Sequence, residues 1–244
     1  MYHHYQNYEE VAGARLFSYT QLDPDYDTAE LKDMQELIAY CAKVSNPSLA
    51  KQADMTNSER LINYLIKNSH WSPLEMVDAT LIIETTRDIG RQMIRHRTFG
   101  FQEFSQRYAE ALTEDDQAIK FVLSEARLQD HKNRQNSIPL KESDMELSDR
   151  ILLDAWWHDA QRGIAEYAQA IYKAAINKGL AKETARKVLP EGLTTTRMFM
   201  KGSIRSWIHY AQLRKANGTQ KEHMLIANAA AEAISKVFPM MEKI

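Results

Sequence analysis

The stretch Val77-Asp78-Ala79-Thr80-Leu81-Ile82-Ile83-Glu84-Thr85-Thr86 runs into Arg87-Asp88-Ile89-Gly90-Arg91-Gln92-Met93-Ile94-Arg95-His96-Arg97, and the change of rhythm between them decides the fold. In the first ten residues Val77, Ala79, Leu81 and Ile83 fall on one side, with Asp78, Thr80 and Glu84 largely on the other. Successive side chains of a strand point to opposite faces, so this β-branched segment reads as a strand with one face in a core. After Asp88 the alternation stops. Residues 89–97 suit a short helix, and residues 101–108 then read as extended.

Working outward, Leu61, Ile62, Leu65 and Ile66 form one apolar face behind Thr56 and Glu59, which have capping-box spacing, so a helix runs to about Asn68. Residues 31–44 have the same character. Downstream, Ile151, Leu152, Trp156, Ile164, Tyr167, Ala168, Ile171 and Ala175 make a long helix that Gly179 can terminate. In it Trp156, Trp157 and Tyr167 read as core residues. A shorter helix stops before Pro190, residues 193–200 suit a strand and residues 203–215 an amphipathic helix. Thr219 with Glu222 then opens a last helix with a second capping box. Residues 111–147 are rich in charge and poor in apolar pattern, an excursion with room for one helix and not a second domain. Helices dominate and the strands are few and far apart in sequence, which predicts an α+β fold: one domain over residues 1–244, helices packed on a small, mostly antiparallel sheet.

A chain of 244 residues with 44% hydrophobic content can bury a sizeable core. Its net charge of −2 lacks the basic excess of a nucleic-acid or anionic-membrane binder, so any phosphate chemistry is local. A single cysteine, Cys41, excludes an internal disulfide and a cysteine-rich zinc site. The N-terminus has no apolar signal core and no stretch reaches membrane-span length, so a soluble, cytoplasmic protein is expected. There is no glycine-rich phosphate loop and no internal repeat.

Local phosphate chemistry has an obvious seat. Arg87, Arg91, Arg95, Arg97 and Arg107 crowd one segment with no lysine and only two acids, Asp88 and Glu103. The planar guanidinium fork matches phosphate or carboxylate bidentately, which an ammonium cannot do. On a helix over 89–97, Arg91 and Arg95 are i,i+4 neighbours, and Gln92, Arg95 and His96 share a face. On a strand over 101–108, Glu103, Ser105 and Arg107 point one way and Phe104, Gln106 and Tyr108 the other. An arginine cluster by itself is more often a solvated basic face. The residue order carries more.

The run Arg95-His96-Arg97, seven intervening residues, then Ser105, with Glu103 before it and Arg107-Tyr108 after it, resembles the signature of the flavin-dependent thymidylate synthase family. Further along the chain, Ala42-Lys43-Val44-Ser45, His70-Trp71-Ser72-Pro73-Leu74-Glu75, Arg91-Gln92, Ala185-Arg186-Lys187-Val188-Leu189-Pro190, Arg205-Ser206-Trp207 and Leu213-Arg214 resemble the family's other motifs, in the same order. The resemblance implies reductive methylation of dUMP to dTMP, with 5,10-methylenetetrahydrofolate as carbon donor, FAD as cofactor, NADPH as reductant and no cysteine nucleophile. Cys41, on a helical pattern with no adjacent base, reads as a structural thiol, in agreement.

By resemblance, His70, Ser72, Arg95, His96, Arg97, Glu103, Ser203, Arg205 and His209 belong to the cofactor side. Gln92, Arg95, Glu103, Phe104, Ser105, Gln106, Arg107, Arg186 and Arg214 belong to dUMP, and Arg214 is the catalytic residue that favours the N3-deprotonated uracil. The family also implies a homotetramer with shared active sites. Departures from its pattern are Gln102, Met76, Ser203, His209 and the stretch Thr219-Gln220-Lys221-Glu222-His223, where the family has Ala-Gln-x-x-Glu-Ile-Arg. The rival readings are a non-catalytic nucleotide- or RNA-binding protein using the arginine cluster, and an inactive homologue that keeps its flavin.

Overall fold

The computed structural model describes residues 5–23, 25, 31, 33–44, 58–107, 120–216 and 218–244. Ser45, Thr56 and Tyr108, used in the sequence reading, lie outside them, as does the first part of the charged excursion. In chain order the elements are β1 (Gln6–Asn7), α1 (Tyr8–Val11), β2 (Gly13–Tyr19), α2 (Met34–Lys43), α3 (Ser58–Lys67), β3 (Asp78–Thr86), α4 (Arg87–Met93), β4 (Gly100–Glu103), β5 (Val122–Leu123), β6 (Arg127–Gln129), β7 (Ser137–Pro139), α5 (Leu147–Asn177), α6 (Lys182–Ala185), β8 (Thr195–Ser203), α7 (Ile204–Arg214) and α8 (Lys221–Ser235).

The main sheet has the order β2-β3-β8-β4 and is antiparallel throughout. Its centre is the strand that opens the sequence reading. Ala79, Leu81 and Ile83 are fully buried, and Leu81 and Ile83 pair in register with Met200 and Met198 of β8. Helices cover this one face: Ile38 of α2, Ile62 of α3, Trp207 and Ile208 of α7, and Ile226 and Ile234 of α8 join the same apolar cluster. Each such side chain contributes about 1.5–3 kcal/mol by leaving water. The Trp207 indole also donates to the carbonyl of Ala79 over 3.1 Å, which ties α7 to the sheet centre. This is the expected α+β arrangement.

Local signals explain most boundaries. Asp33 caps α2 by accepting from the Glu36 amide (2.9 Å), Ser203 caps α7 through the Ser206 amide, and Gly179 closes α5 at φ 81°, a left-handed conformation that suits glycine. Gly202 has a different reason. A Cβ there would stand 2.5 Å from the ring of Phe99, so only the bare backbone lets that ring lie on β8.

Five expectations need correction. Helix α4 ends at Met93, not Arg97, because the amides of Arg95, His96 and Phe99 each bond three residues back, to Gln92, Met93 and His96, in tight turns that lead into β4. Strand β4 ends at Glu103, and Gln106 and Arg107 sit in a turn, so Ser105 and Arg107 do not share a strand face with Glu103. From residue 120 the excursion holds strand β5 and the β6–β7 hairpin, and among the described residues its one helical piece is the short 3-10 turn Leu140–Glu142, before α5 begins at Leu147. Thr219 does not cap α8: the N-cap is Gln220 without a side-chain bond, and Glu222 is drawn away to Arg127. Lastly, α5 buries Gln161, Ala165, Ala168 and Tyr172 but exposes Trp156 (63%), Trp157 (37%) and Tyr167 (71%), so within one chain none of these three is core.

Candidate active site

The chain leaves β3 at Thr86 and starts α4 with Arg87, whose side chain is almost wholly buried. Burying a guanidinium is costly unless it is paired. Its Nη1 lies 3.4 Å from Oε1 of Glu103, and the same carboxylate accepts from the Thr196 hydroxyl at 2.8 Å and faces Arg91 at 3.9 Å. Arg91 also pairs with Glu191 at 3.2 Å. Glu103 is therefore fixed from three sides. Burial lowers the pKa of Arg87, with the Glu103 carboxylate opposing that shift.

Beside this cluster lie polar groups with spare capacity. Arg87 Nη1 and Gln106 Nε2 are buried without a hydrogen-bond partner. Arg186, half-buried, makes no side-chain hydrogen bond or ion pair among the described residues, and the same holds for the exposed Arg95 and Arg97. Arg186 lies close enough to Arg87 for the two charges to act on each other, and cations so placed are what a phosphate-bearing ligand satisfies. Ser105 accepts from the Arg107 amide (3.4 Å) and has no His–Asp relay among the described residues, so it can bind but is not activated for attack. Arg107 is engaged with Glu183 at 3.8 Å. Phe104, half-buried, is held through its amide by the Arg197 carbonyl at 2.9 Å.

The C-terminal end of α7 meets the loop after α4. Arg214 Nε donates to Nε2 of His96 across 3.0 Å, which leaves the rest of the guanidinium fork open. Because that ring nitrogen accepts, His96 is neutral. Burial, and then the charge of Arg214, lower its pKa to about 4. Its ring stands edge-on to Tyr210, 5.0 Å between centroids. At the other end of α7, Ser203 and then Arg205 (2.7 Å) hold the Glu75 carboxyl below its usual range, and His209 packs on Trp71 with centroids 4.3 Å apart. His70 and Ser72 are exposed on either side of Trp71, and the His70 ring meets Tyr64.

The structure thus joins Glu103 to Arg87 and Arg91, Arg214 to His96, and Ser203, Arg205 and His209 to the turn bearing His70 and Ser72. Several contributors escape a sequence reading. Thr196 bonds to Glu103, Gln220 and His223 to Gln92, and Glu191 to Arg91, while Tyr210 packs against the His96 ring and bonds to His223; only Tyr210, one helical turn before Arg214, carries a spacing clue.

The family model described as "Thymidylate synthase complementing protein" matches residues 15–240. A flavin-dependent thymidylate synthase from Synechocystis sp. is 46% identical over 203 residues, covering 83% of this chain and 85% of its own. The chain belongs to the flavin-dependent thymidylate synthase family. A probable flavin-dependent thymidylate synthase from Paramecium bursaria Chlorella virus 1 is 43% identical over 209 residues, covering 86% and 89%. Among solved structures, a UMP/dUMP methylase, PolB, from Streptomyces cacaoi bound with 5-Br dUMP shares the fold at TM-score 0.71 and 22% identity, covering 95% of this chain and 93% of its own. As a flavin-dependent thymidylate synthase the chain is a methyltransferase that converts dUMP to dTMP, with FAD as cofactor and NADPH and 5,10-methylenetetrahydrofolate as co-substrates of the family reaction. The residues present fit the cofactor, since Arg95 and Arg97, without an ion pair among the described residues, flank a neutral imidazole.

Proposed function

We propose that dUMP binds where α4, the turn after β4 and the C-terminal end of α7 meet, and that the observation carrying this reading is the 3.0 Å contact between Arg214 and His96. It links a residue of the nucleotide side to one of the flavin side. Gln92, Glu103, Phe104, Ser105, Gln106, Arg107 and Arg186 hold the nucleotide. Arg95, His96, Arg97, His70, Ser72, Ser203, Arg205 and His209 form the FAD side, with Glu103 and Arg95 facing both. When bound and reduced, FAD supplies a hydride to the uracil ring.

The protein's part is electrostatic and positional. His96 occupies one donor of Arg214 and fixes its plane, so the remaining N–H groups can stand against the base. A preorganised guanidinium there favours negative charge on uracil, the form deprotonated at N3. Arg87 and Thr196 orient Glu103 so that one carboxylate oxygen is not free to rotate. Cys41 takes no part. It is half-buried in α2, and burial raises its pKa, the opposite of what a nucleophilic thiol needs.

The protein assembles as a homotetramer in this reading. Leu152, Trp156, Ile164, Tyr167 and Ile171 are exposed along one side of α5, and apolar area of that extent on a soluble chain marks a contact surface. A second copy supplies a matching face by symmetry, and the large methyl and aromatic groups suit a permanent interface. Titrating dUMP into FAD-loaded protein and following dTMP formation tests the site: absence of dUMP binding when FAD is bound overturns it.

A further inference from the structure

The tip of the β6–β7 hairpin is held by a dense set of hydrogen bonds. Both oxygens of the Asp130 carboxylate are taken up within it: Oδ1 accepts from the amides of Lys132 (2.8 Å) and Asn133 (3.2 Å), and Oδ2 from the Asn136 side chain (2.9 Å). The Asn133 side chain accepts from the Gln135 amide at 3.1 Å, and the Gln129 carboxamide nitrogen lies within 3.3 Å of the carbonyls of Asp130, Arg134 and Asn136. Gln129, Asp130, Asn133 and Asn136 are thus spent on shaping the turn. The remaining side chains of the tip, His131, Lys132, Arg134 and Gln135, are exposed. Lys132 and Arg134 make no ion pair or side-chain hydrogen bond among the described residues.

This tip is braced against the connection between α7 and α8. A Cβ on Gly218 would stand 3.5 Å from the Asn133 side-chain nitrogen and 3.7 Å from the Gln135 side-chain oxygen. The connection itself doubles back. The Thr219 hydroxyl lies 3.4 Å from the carbonyl of Leu213, the residue before Arg214, and Gln220 accepts from the Gln92 carboxamide at 2.7 Å. At the base of the hairpin Arg127 pairs with Glu222 in the first turn of α8. Tip and base are therefore both fixed to the stretch that begins at Arg214 and touches Gln92, two residues of the proposed nucleotide side. Cations on a backbone already ordered meet a ligand without the ordering cost that a loose loop adds.

The reactants differ in what holds them. FAD and dUMP have cationic partners in Arg95, Arg97, Arg186 and Arg214, whereas no residue named so far is assigned to the two co-substrates. 5,10-Methylenetetrahydrofolate ends in a glutamate with two carboxylates, and NADPH carries a phosphate monoester on a ribose. Each of these anions is remote from the atom that reacts, and binding energy gained at a remote group serves to orient the reacting end. A guanidinium fork pairs with a carboxylate or a phosphate, and an ammonium two residues away adds a second point of charge. We propose that Lys132 and Arg134, at the tip of the β6–β7 hairpin, form a binding site for the anionic end of a co-substrate. The proposal rests on the nucleotide site lying where α4, the turn after β4 and the end of α7 meet.

Steady-state kinetics on the FAD-loaded enzyme test it and tell the two sources apart. With Lys132 and Arg134 both changed to alanine, a folate tail at this site predicts a KM for triglutamyl methylenetetrahydrofolate raised about fivefold or more, with the preference for NADPH over NADH in flavin reduction unchanged. A ribose phosphate at this site predicts the reverse: that preference falls about fivefold or more and the folate KM stays put. In either case the loss falls on KM and far less on kcat, which a merely structural role would not arrange. Arg134→Lys should keep part of what Arg134→Ala loses, and added salt should weaken the wild type more than the double variant. A folded, flavin-loaded double variant with both quantities within about twofold of wild type overturns the proposal. So does a changed sedimentation coefficient, which would give these cations to a contact between copies. If the double variant does not fold, Arg134→Gln alone carries the same test. Calorimetry with dUMP keeps the two levels apart: wild-type protein that fails to bind dUMP brings down the underlying reading of the site, whereas normal dUMP binding beside unchanged co-substrate constants brings down the hairpin site alone.

Discussion

Removing the Arg214 guanidinium while leaving His96 in place should cost roughly a hundredfold or more in turnover, the usual effect of deleting a preorganised electrostatic partner. The flavin should still load in Arg214→Ala, and Arg214→Lys should recover only part, since an ammonium cannot both meet His96 and present a planar fork. Following dTMP formation and NADPH oxidation separately checks this; near-normal dTMP output from Arg214→Ala would remove it from catalysis. Cys41→Ala, by contrast, should keep most of its activity, with any loss traceable to packing in α2. The buried histidines predict an acid response. His96 and His223 have folded pKa values of about 4 and about 3 against 6.5. Between pH 6.5 and 4 the unfolded chain therefore holds more protons, so stability is full above 6.5 and falls as the pH drops through that window. Carboxylates held below their usual 4.5, such as Glu75, add their loss only at lower pH. Melting temperatures that stay level from pH 7 to pH 5 would contradict the assignment of neutral, buried imidazoles.

At the scale of elements, Gly202 is the tightest constraint near the site. Gly202→Ala would push a methyl into Phe99, which packs on Trp207 and stands edge-on to His96. Overpacking of this kind costs about 1–3 kcal/mol. We expect a lowered melting temperature together with weaker FAD binding, and a variant with wild-type values of both would show that Phe99 has room to move. The same elements show what a sequence can and cannot disclose. Strand β3 was legible because one face is buried and alternation follows directly from that. The long helix was legible from its period, but the identity of its buried side was not, because α5 is apolar on two sides and periodicity cannot say which one faces the chain's own core. The capping pair Thr219 and Glu222 misled since Arg127, far away in sequence, competes for the carboxylate. Strands as short as β6 and β7 carry too few residues to show a period. In the site, residue order exposed Arg95-His96-Arg97 and Ser105, whereas His223 and Thr196 enter only through tertiary contacts.

For the whole molecule, the apolar side of α5 is the dominant surface feature. Glutamate at Trp156 and Ile164 together should leave the core of each subunit intact and break the assembly, shifting sedimentation towards the 28.2 kDa single chain. Wild-type protein that sediments only as that single chain at micromolar concentration would contradict the tetramer. Loss of activity in the dissociated variant, with its circular dichroism unchanged, would indicate that each site draws on more than one copy.

Helix α7 joins the two halves of the site within one continuous set of backbone hydrogen bonds. Ser203 and Arg205 open it, His209 lies in the middle and Arg214 ends it, a span of 11 residues or about 16 Å. In the proposed site it therefore acts as a gauge block between cofactor and base. Because each residue turns a helix by about 100°, inserting or deleting one anywhere between His209 and Arg214 would swing the guanidinium off His96 while leaving the cofactor end untouched. Loops in this chain can tolerate changes of length, but this segment is confined to substitution.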